Sequence, residues 1–148
     1  MDQRRAFLDT LGWSEGTTRV PGSDNGYNVL VGGTLFTSYA DHPRKLVHLS
    51  PSLSSTAAGR YQLLAKYFDA YKSELRLPDF SPTSQDSIAL QQIKECGALP
   101  AIDAGRFAEA IRRCAHIWAS LPSAGYEQHE NKLSDLQDVF IQAGGVLA

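Results

Sequence analysis

Within the 148 residues, one stretch reads as paired strands: Tyr27-Asn28-Val29-Leu30-Val31, then Gly32-Gly33, then Thr34-Leu35-Phe36-Thr37. Gly-Gly supplies the positive φ angles of a two-residue primed turn, and β-branched and aromatic residues flank it. The rest of the chain takes helical spacing or turn-forming composition. That pattern excludes an alternating βαβ architecture and predicts an α+β fold, with an early hairpin among several short helices. An isolated hairpin is marginal in water, so this one is expected to pack on helices or line a cleft.

The first helix is predicted over Gln3 to Trp13, where Phe7 and Leu11 fall four apart and Arg4, Arg5 and Asp9 can face water. Gly16 to Gly26 is a turn-rich loop, and Ser38 to Ser55, with Pro43 and Pro51, reads as a longer one. Tyr61, Leu64, Phe68 and Tyr71 return to helical spacing, with Arg60-Tyr61-Gln62 as the predicted first turn. Ser81-Pro82 then gives a cap and first residue for a helix to about Glu95, stopped by Gly97. Phe107, Ile111, Cys114 and Trp118 form the clearest apolar stripe, ended by Leu121-Pro122, and are predicted to be core. Leu133, Leu136, Phe140 and Ala143 outline a last helix before Gly144-Gly145. Neither a repeat nor a composition break divides the chain, so residues 1–148 are expected to form one domain.

With 43% hydrophobic and 20% charged residues, the chain has enough apolar side chains for a real core. Its net charge of -2 and scattered basic pairs argue against a nucleic-acid partner. No apolar run of signal-peptide length precedes Asp9, and no run is long enough to span a membrane, so synthesis and folding in the cytoplasm without stable membrane insertion are expected. Cys96 and Cys114 accordingly read as reduced thiols in helices; a bond between them depends on a distance that sequence does not give.

Chemistry centres on Trp13-Ser14-Glu15-Gly16-Thr17. Glu15 follows an apolar helical run, beside an aromatic ring and before a glycine that would end the helix. Burial there, together with the negative end of the helix dipole, would disfavour the carboxylate and hold a proton available for a glycosidic oxygen.

Further blocks are Gly26-Tyr27-Asn28-Val29-Leu30-Val31-Gly32-Gly33, Leu35-Phe36-Thr37, Asp41-His42-Pro43-Arg44-Lys45-Leu46-Val47, Gly59-Arg60-Tyr61-Gln62-Leu63-Leu64 and Ile117-Trp118-Ala119-Ser120-Leu121-Pro122. In order and spacing, with the Glu15 segment, they closely resemble the lambda-type phage endolysins, lytic transglycosylases of the lysozyme superfamily. The resemblance runs from Arg5 to about Gly145. It implies a mostly helical, lysozyme-like fold with a small early sheet lining a substrate cleft. It also implies cleavage of the β-1,4 bond between N-acetylmuramic acid and N-acetylglucosamine in peptidoglycan, leaving 1,6-anhydro ends. Glu15 would act as acid and then base, with no cofactor or metal. The enzyme would be a monomer stored in the host cytoplasm, reaching the periplasm after a holin permeabilises the membrane, and its antimicrobial effect would be host lysis.

By the same resemblance Gln62 faces the catalytic glutamate and bonds substrate amides or hydroxyls, with Tyr61 beside it, and Tyr126 is a cleft tyrosine. Tyr39, Asp41 and His42 are candidates for the cleft rim. From spacing alone, Gln62 reads equally as a surface residue and Tyr126 as an ordinary loop aromatic. Asn28 departs from the pattern, standing where an acid is expected, and the loop before it is short.

The rival enzyme is a hydrolytic muramidase using Glu15 and Asp24, since glycoside hydrolases need two carboxyl groups at set separations. A noncatalytic wall-binding protein would leave Glu15 a surface group. A zinc amidase built on His42, His48, His116 and His129 lacks a metal-binding helix motif. A thiol hydrolase of Cys114 with His116 would need side chains two apart on a helix to point together.

Overall fold

The computed structural model describes residues 2–122 and 130–148. The chain divides into two compact units, one comprising Met1–Glu15 with Ala89–Ala148, the other Gly16–Ile88. Among the described residues no helix is long and apolar enough to cross a membrane.

In the first unit, α1 spans Asp2–Ser14, and Ala6, Phe7, Leu8 and Leu11 are almost completely buried, as their spacing predicts. It packs on α4 (Leu99–Asp103) and on α6 (Leu133–Gln142), while α4 packs on α5 (Phe107–Cys114). Phe107 stands edge-on to Phe7 at 6.1 Å between ring centroids and tilted against Phe140 at 4.8 Å, so one aromatic joins three helices. Helix α4 is an element that apolar spacing does not predict; Pro100 sits in its first turn, where no donor N–H is needed.

The stripe Phe107, Ile111, Cys114 and Trp118 is buried, but α5 ends at Cys114, earlier than expected. The Cys114 carbonyl accepts both Ile117 N–H at 3.0 Å and Trp118 N–H at 3.2 Å, a tightened terminal turn that still delivers Trp118 to the core. Gln3 fastens the C-terminal segment by donating to Ile102 O and Val146 O, both at 3.0 Å, and accepting Val146 N–H. Gly105 lies under that segment with φ +77°, where an added Cβ would come within 2.6 Å of Ala148 N.

The second unit overturns the expected strand placement. Gly32 and Gly33 do reverse the chain with φ of 92° and 101°, yet the flanking residues make only the single bridge Val29 to Leu35. Leu30 N–H reaches Thr34 O at 2.7 Å and Phe36 N–H reaches Asn28 O at 2.9 Å, but Gly33 N–H closes back on Leu30 O at 2.9 Å and the pairing stops at that one bridge. The opposite edge of the segment pairs with residues 57–59: Val31 N–H goes to Ala57 O at 3.0 Å and Val29 O accepts Gly59 N–H at 2.9 Å.

The two-stranded antiparallel sheet lies inside the stretch read as a loop. Strand β1, Val47–Ser50, pairs with β2, Leu53–Ser55, across Pro51-Ser52, with an irregularity between His48 and Ser50. Both strands are largely exposed, Leu49 at 42% and Leu53 at 55%, so they carry no inward-outward alternation by which to be recognised.

Helix α2 runs over Ala65–Leu75 and does not include Arg60-Tyr61-Gln62, because Gln62 has φ 55°, a left-handed conformation that breaks a right-handed helix. Leu30, Ala58, Leu63, Phe68, Phe80 and Ile88 make this unit's core. Helix α3, Pro82–Glu95, begins as predicted: Ser81 O accepts Gln85 N–H at 2.8 Å and Ser81 Oγ accepts Ser84 N–H at 3.4 Å. Gly97, with φ 71°, lies just beyond its end.

Candidate active site

Glu15 follows the last residue of α1 and continues its ladder, its N–H bonding Leu11 O at 2.9 Å. Gly16, with φ 83°, then turns the chain away. The Glu15 side chain is half-buried, and its Oε2 accepts a short hydrogen bond from Ser120 Oγ. Desolvation pushes the Glu15 pKa above the ordinary carboxyl value, and the Ser120 bond opposes it by stabilising the carboxylate. Burial prevails, so Glu15 holds its proton to higher pH than an exposed glutamate.

Behind Ser120 the hydrogen bonds have a direction. Ser120 Oγ lies 2.8 Å from Ser14 Oγ, and Asn131 Nδ2 donates to Ser14 Oγ at 3.0 Å and to Ser14 O at 3.0 Å. An amide N–H can only donate, and Ser120 spends its hydrogen on Glu15, so Ser14 must donate to Ser120. The relay runs from Asn131 through Ser14 and Ser120 to Oε2. Oε1 accepts no hydrogen bond among the described residues, so it is the carboxyl oxygen left to engage a ligand. None of these three partners was identified from sequence. Ser120 lies 105 residues from Glu15, and only its place in the Ile117–Pro122 block marked it.

Gln62 is in the second unit, in the turn closed by its N–H to Gly59 O at 3.2 Å. Its side-chain amide donates to Gly59 O at 2.9 Å and Val29 O at 3.2 Å, and the residue is half-buried. That leaves the carbonyl end of the amide to accept from a ligand. Tyr61 is only 5% exposed, and its hydroxyl donates to Asp86 Oδ1 at 2.6 Å while accepting from Arg60 Nη1 at 3.2 Å. It is a packing residue beneath the turn.

The expected rim residues separate. Tyr39 is half-buried and donates its hydroxyl to Asp24 Oδ2 at 2.7 Å; Asp41 is exposed and ion-paired to Arg44 at 2.8 Å, which also reaches Asp69 at 2.6 Å. His42 is not at a rim but 2% exposed, against Phe68 and Phe80. Its Nδ1 accepts Arg44 N–H at 2.9 Å, so Nε2 carries the hydrogen and donates to Leu63 O at 2.8 Å. Burial holds its pKa below the ordinary value, and the neutral ring is a structural group.

Asn28 Oδ1 accepts Asp24 N–H at 2.8 Å, folding the short loop on itself. Tyr126 and His129 lie outside the described residues. Among those described, no cluster of three or more histidine, cysteine or acidic side chains could hold a metal.

The endolysin family model matches residues 5–147. The chain belongs to the endolysin family. It is 60% identical to the endolysin of Escherichia phage lambda over 99% of this chain and 94% of that protein. With the endolysin of Escherichia phage P2 it shares 49% identity over 97% of this chain and 93% of the relative. Among solved structures, the bacteriophage lambda lysozyme complexed with a chitohexasaccharide superposes with a TM-score of 0.97 at 59% identity, over 100% of this chain and 97% of that one. A second lambda lysozyme structure gives 0.93 at 58% identity with the same coverage. This endolysin thus has the lysozyme fold in its α+β form, and it is a lysozyme-like cell-wall lytic enzyme.

Proposed function

We propose that the chain is a peptidoglycan lytic transglycosylase, with Glu15 as its one proton-transferring group. The observation that carries this reading is the state of Glu15: half-buried, pushed toward the neutral acid by desolvation, with Oε2 occupied by Ser120 and Oε1 left to engage a ligand. The acid would protonate the leaving glycosidic oxygen between N-acetylmuramic acid and N-acetylglucosamine. The resulting carboxylate, stabilised by Ser120, would then take the proton of the muramic 6-hydroxyl as that oxygen closes on C1. An internal hydroxyl already held by the substrate gains effective concentration and needs no second carboxylate to orient water.

A hydrolase would require Asp24 to perform that second role. Asp24 instead accepts the Tyr39 hydroxyl and is folded back by Asn28, the behaviour of a turn residue in its own loop. A glycan ligand is supported by the chitohexasaccharide held by the similar lambda lysozyme. Gln62 is retained as a candidate to bind sugar, through the carbonyl end of its amide, and Tyr126 as a cleft candidate.

The protein would accumulate in the host cytoplasm as a monomer and reach the wall only after a holin opens the membrane. Expression without a holin or permeabilisation should leave cells intact, whereas lysis without either would contradict this part. The chemistry is tested by the mass of released muropeptides: anhydro ends support the transglycosylase, and reducing ends support the muramidase.

A further inference from the structure

In the second unit, Thr17 stands two residues beyond Glu15 in the chain and is only 2% exposed, and no step of the proton transfer uses it. Its hydroxyl donates to the carbonyl oxygen of Arg60 at 2.6 Å. Arg60 is an interior residue of the turn that Gln62 N–H closes on Gly59 O, and its own N–H is held by Gln85 Oε1 at 2.9 Å. Gln85 is fixed in turn, donating to Tyr27 O at 3.1 Å and Phe80 O at 2.9 Å. Two buried side chains thus grip both backbone groups of one turn residue. The turn needs such a grip, because Gln62 adopts φ 55°, a left-handed conformation that is unfavourable for a residue with a Cβ.

Thr17 is confined where it makes this bond. Gly26 closes over it so tightly that an added Cβ would stand 2.8 Å from Thr17 Oγ1 and 2.9 Å from Thr17 C. The Arg60 side chain returns to the same loop, its Nε donating to Asn25 O at 3.1 Å and its guanidinium lying 5.2 Å from the centre of the Tyr27 ring.

We propose that Thr17 is a positioning residue for glycan binding: its bond to Arg60 O holds the Gly59–Gln62 turn in the form that presents the carbonyl end of the Gln62 amide to a sugar hydroxyl or amide N–H. The inference rests on the reading of Gln62 as a sugar-binding residue. Gln62 Nε2 donates to Gly59 O and Val29 O, so the direction of Oε1 follows the backbone of the turn. A turn that relaxes when the Thr17 bond is lost keeps the fold and misdirects that oxygen.

The test measures Kd for a chitohexasaccharide by calorimetry, on the full chain carrying Glu15→Gln so that binding is read without turnover. In that background Thr17→Val, which keeps the shape and loses the hydroxyl, should weaken binding about 5-fold to 10-fold, the size of one oriented hydrogen bond, and Thr17→Ser should restore it. With Gln62→Ala also present, Thr17→Val should change Kd by less than about 2-fold, because both act through one contact. Thr17→Ala, which removes the hydroxyl and adds no methyl beside the carbonyl, serves if Thr17→Val does not fold. A merely structural Thr17 would lower Tm and leave the Kd of the folded protein unchanged; that result, or equal weakening with and without Gln62, would overturn the inference and leave Gln62 in place. Gln62→Ala binding as tightly as its parent, or a parent that binds no oligosaccharide, would instead strike the sugar-binding reading of Gln62, and the inference with it.

Discussion

Ser120 donates its hydroxyl hydrogen to Oε2 of Glu15 from 105 residues further along the chain, and among the described residues it is the side chain that favours the Glu15 carboxylate against burial. Ser120→Ala should therefore raise the Glu15 pKa further, because desolvation remains and the opposing bond is gone. The basic limb of the activity profile should move to higher pH. The maximal rate should fall on the order of 10-fold, the size of one hydrogen bond to a charged group. Ser120→Thr, which keeps the hydroxyl, should restore much of the rate. A profile unchanged by Ser120→Ala would remove Ser120 from the proton-transfer machinery.

Glu15→Gln keeps the shape and the acceptor for Ser120 but loses the transferable proton, so activity should drop by about 100-fold to 10,000-fold or more while the protein stays folded. Its stability should change in a defined direction. A carboxyl whose folded pKa is raised binds its proton more tightly in the native state, so wild type loses stability as pH rises from the unfolded carboxyl value, 4.5, to the folded one. The variant has no such loss. Thermal unfolding should show Glu15→Gln gaining on wild type between pH 4 and pH 7; a constant difference would mean that the site does not desolvate Glu15.

His42 predicts the opposite slope. Its folded pKa is lowered by burial, so the unfolded chain takes up the extra proton as pH falls through about 6.5, and stability declines below that value. His42→Gln, with its Nε2 amide able to donate to Leu63 O, should lessen this decline between pH 7 and pH 5. Denaturant titrations at the two pH values measure it, and an equal decline in both proteins would assign acid sensitivity elsewhere.

Much of this architecture is legible from apolar spacing: α1, α3 and the buried stripe of α5 follow from residues three and four apart. The sheet was not, because Leu49 and Leu53 face outward and no buried face imposes period-two alternation. At Tyr27–Thr37 local turn chemistry correctly predicted the reversal at Gly32-Gly33, but the pairing across it stops at one bridge, and the other edge pairs with Ala57, Ala58 and Gly59, which are distant in sequence. The same limit applied to the site. Glu15 stood out through its local neighbours, whereas Ser120 and Asn131 reach it, directly or through Ser14, only by tertiary contact. A buried structural histidine and an exposed rim histidine look alike in a loop of mixed composition, as His42 shows.

Gly59 supports Gln62 through a conformation that other residues rarely adopt. At φ +86°, an added Cβ would stand 2.8 Å from Phe80 Cζ and would crowd Gln85, whose Oε1 accepts Arg60 N–H at 2.9 Å. Gly59→Ala should cost about 2–4 kcal/mol from backbone strain and overpacking, read from urea unfolding. A loss below about 0.5 kcal/mol would show that the turn relaxes freely.

In the proposed reaction the nucleophile is the muramic 6-hydroxyl and not water. This is tested most directly by digesting purified peptidoglycan in water enriched in heavy oxygen and weighing the fragments. Transfer to the internal hydroxyl predicts 1,6-anhydro ends, each fragment lighter by one water than a hydrolysis product, with no heavy oxygen incorporated, and Asp24→Asn should digest at nearly the wild-type rate. Reducing ends that carry heavy oxygen, together with a folded but inactive Asp24→Asn, would contradict the account and establish a two-carboxylate muramidase.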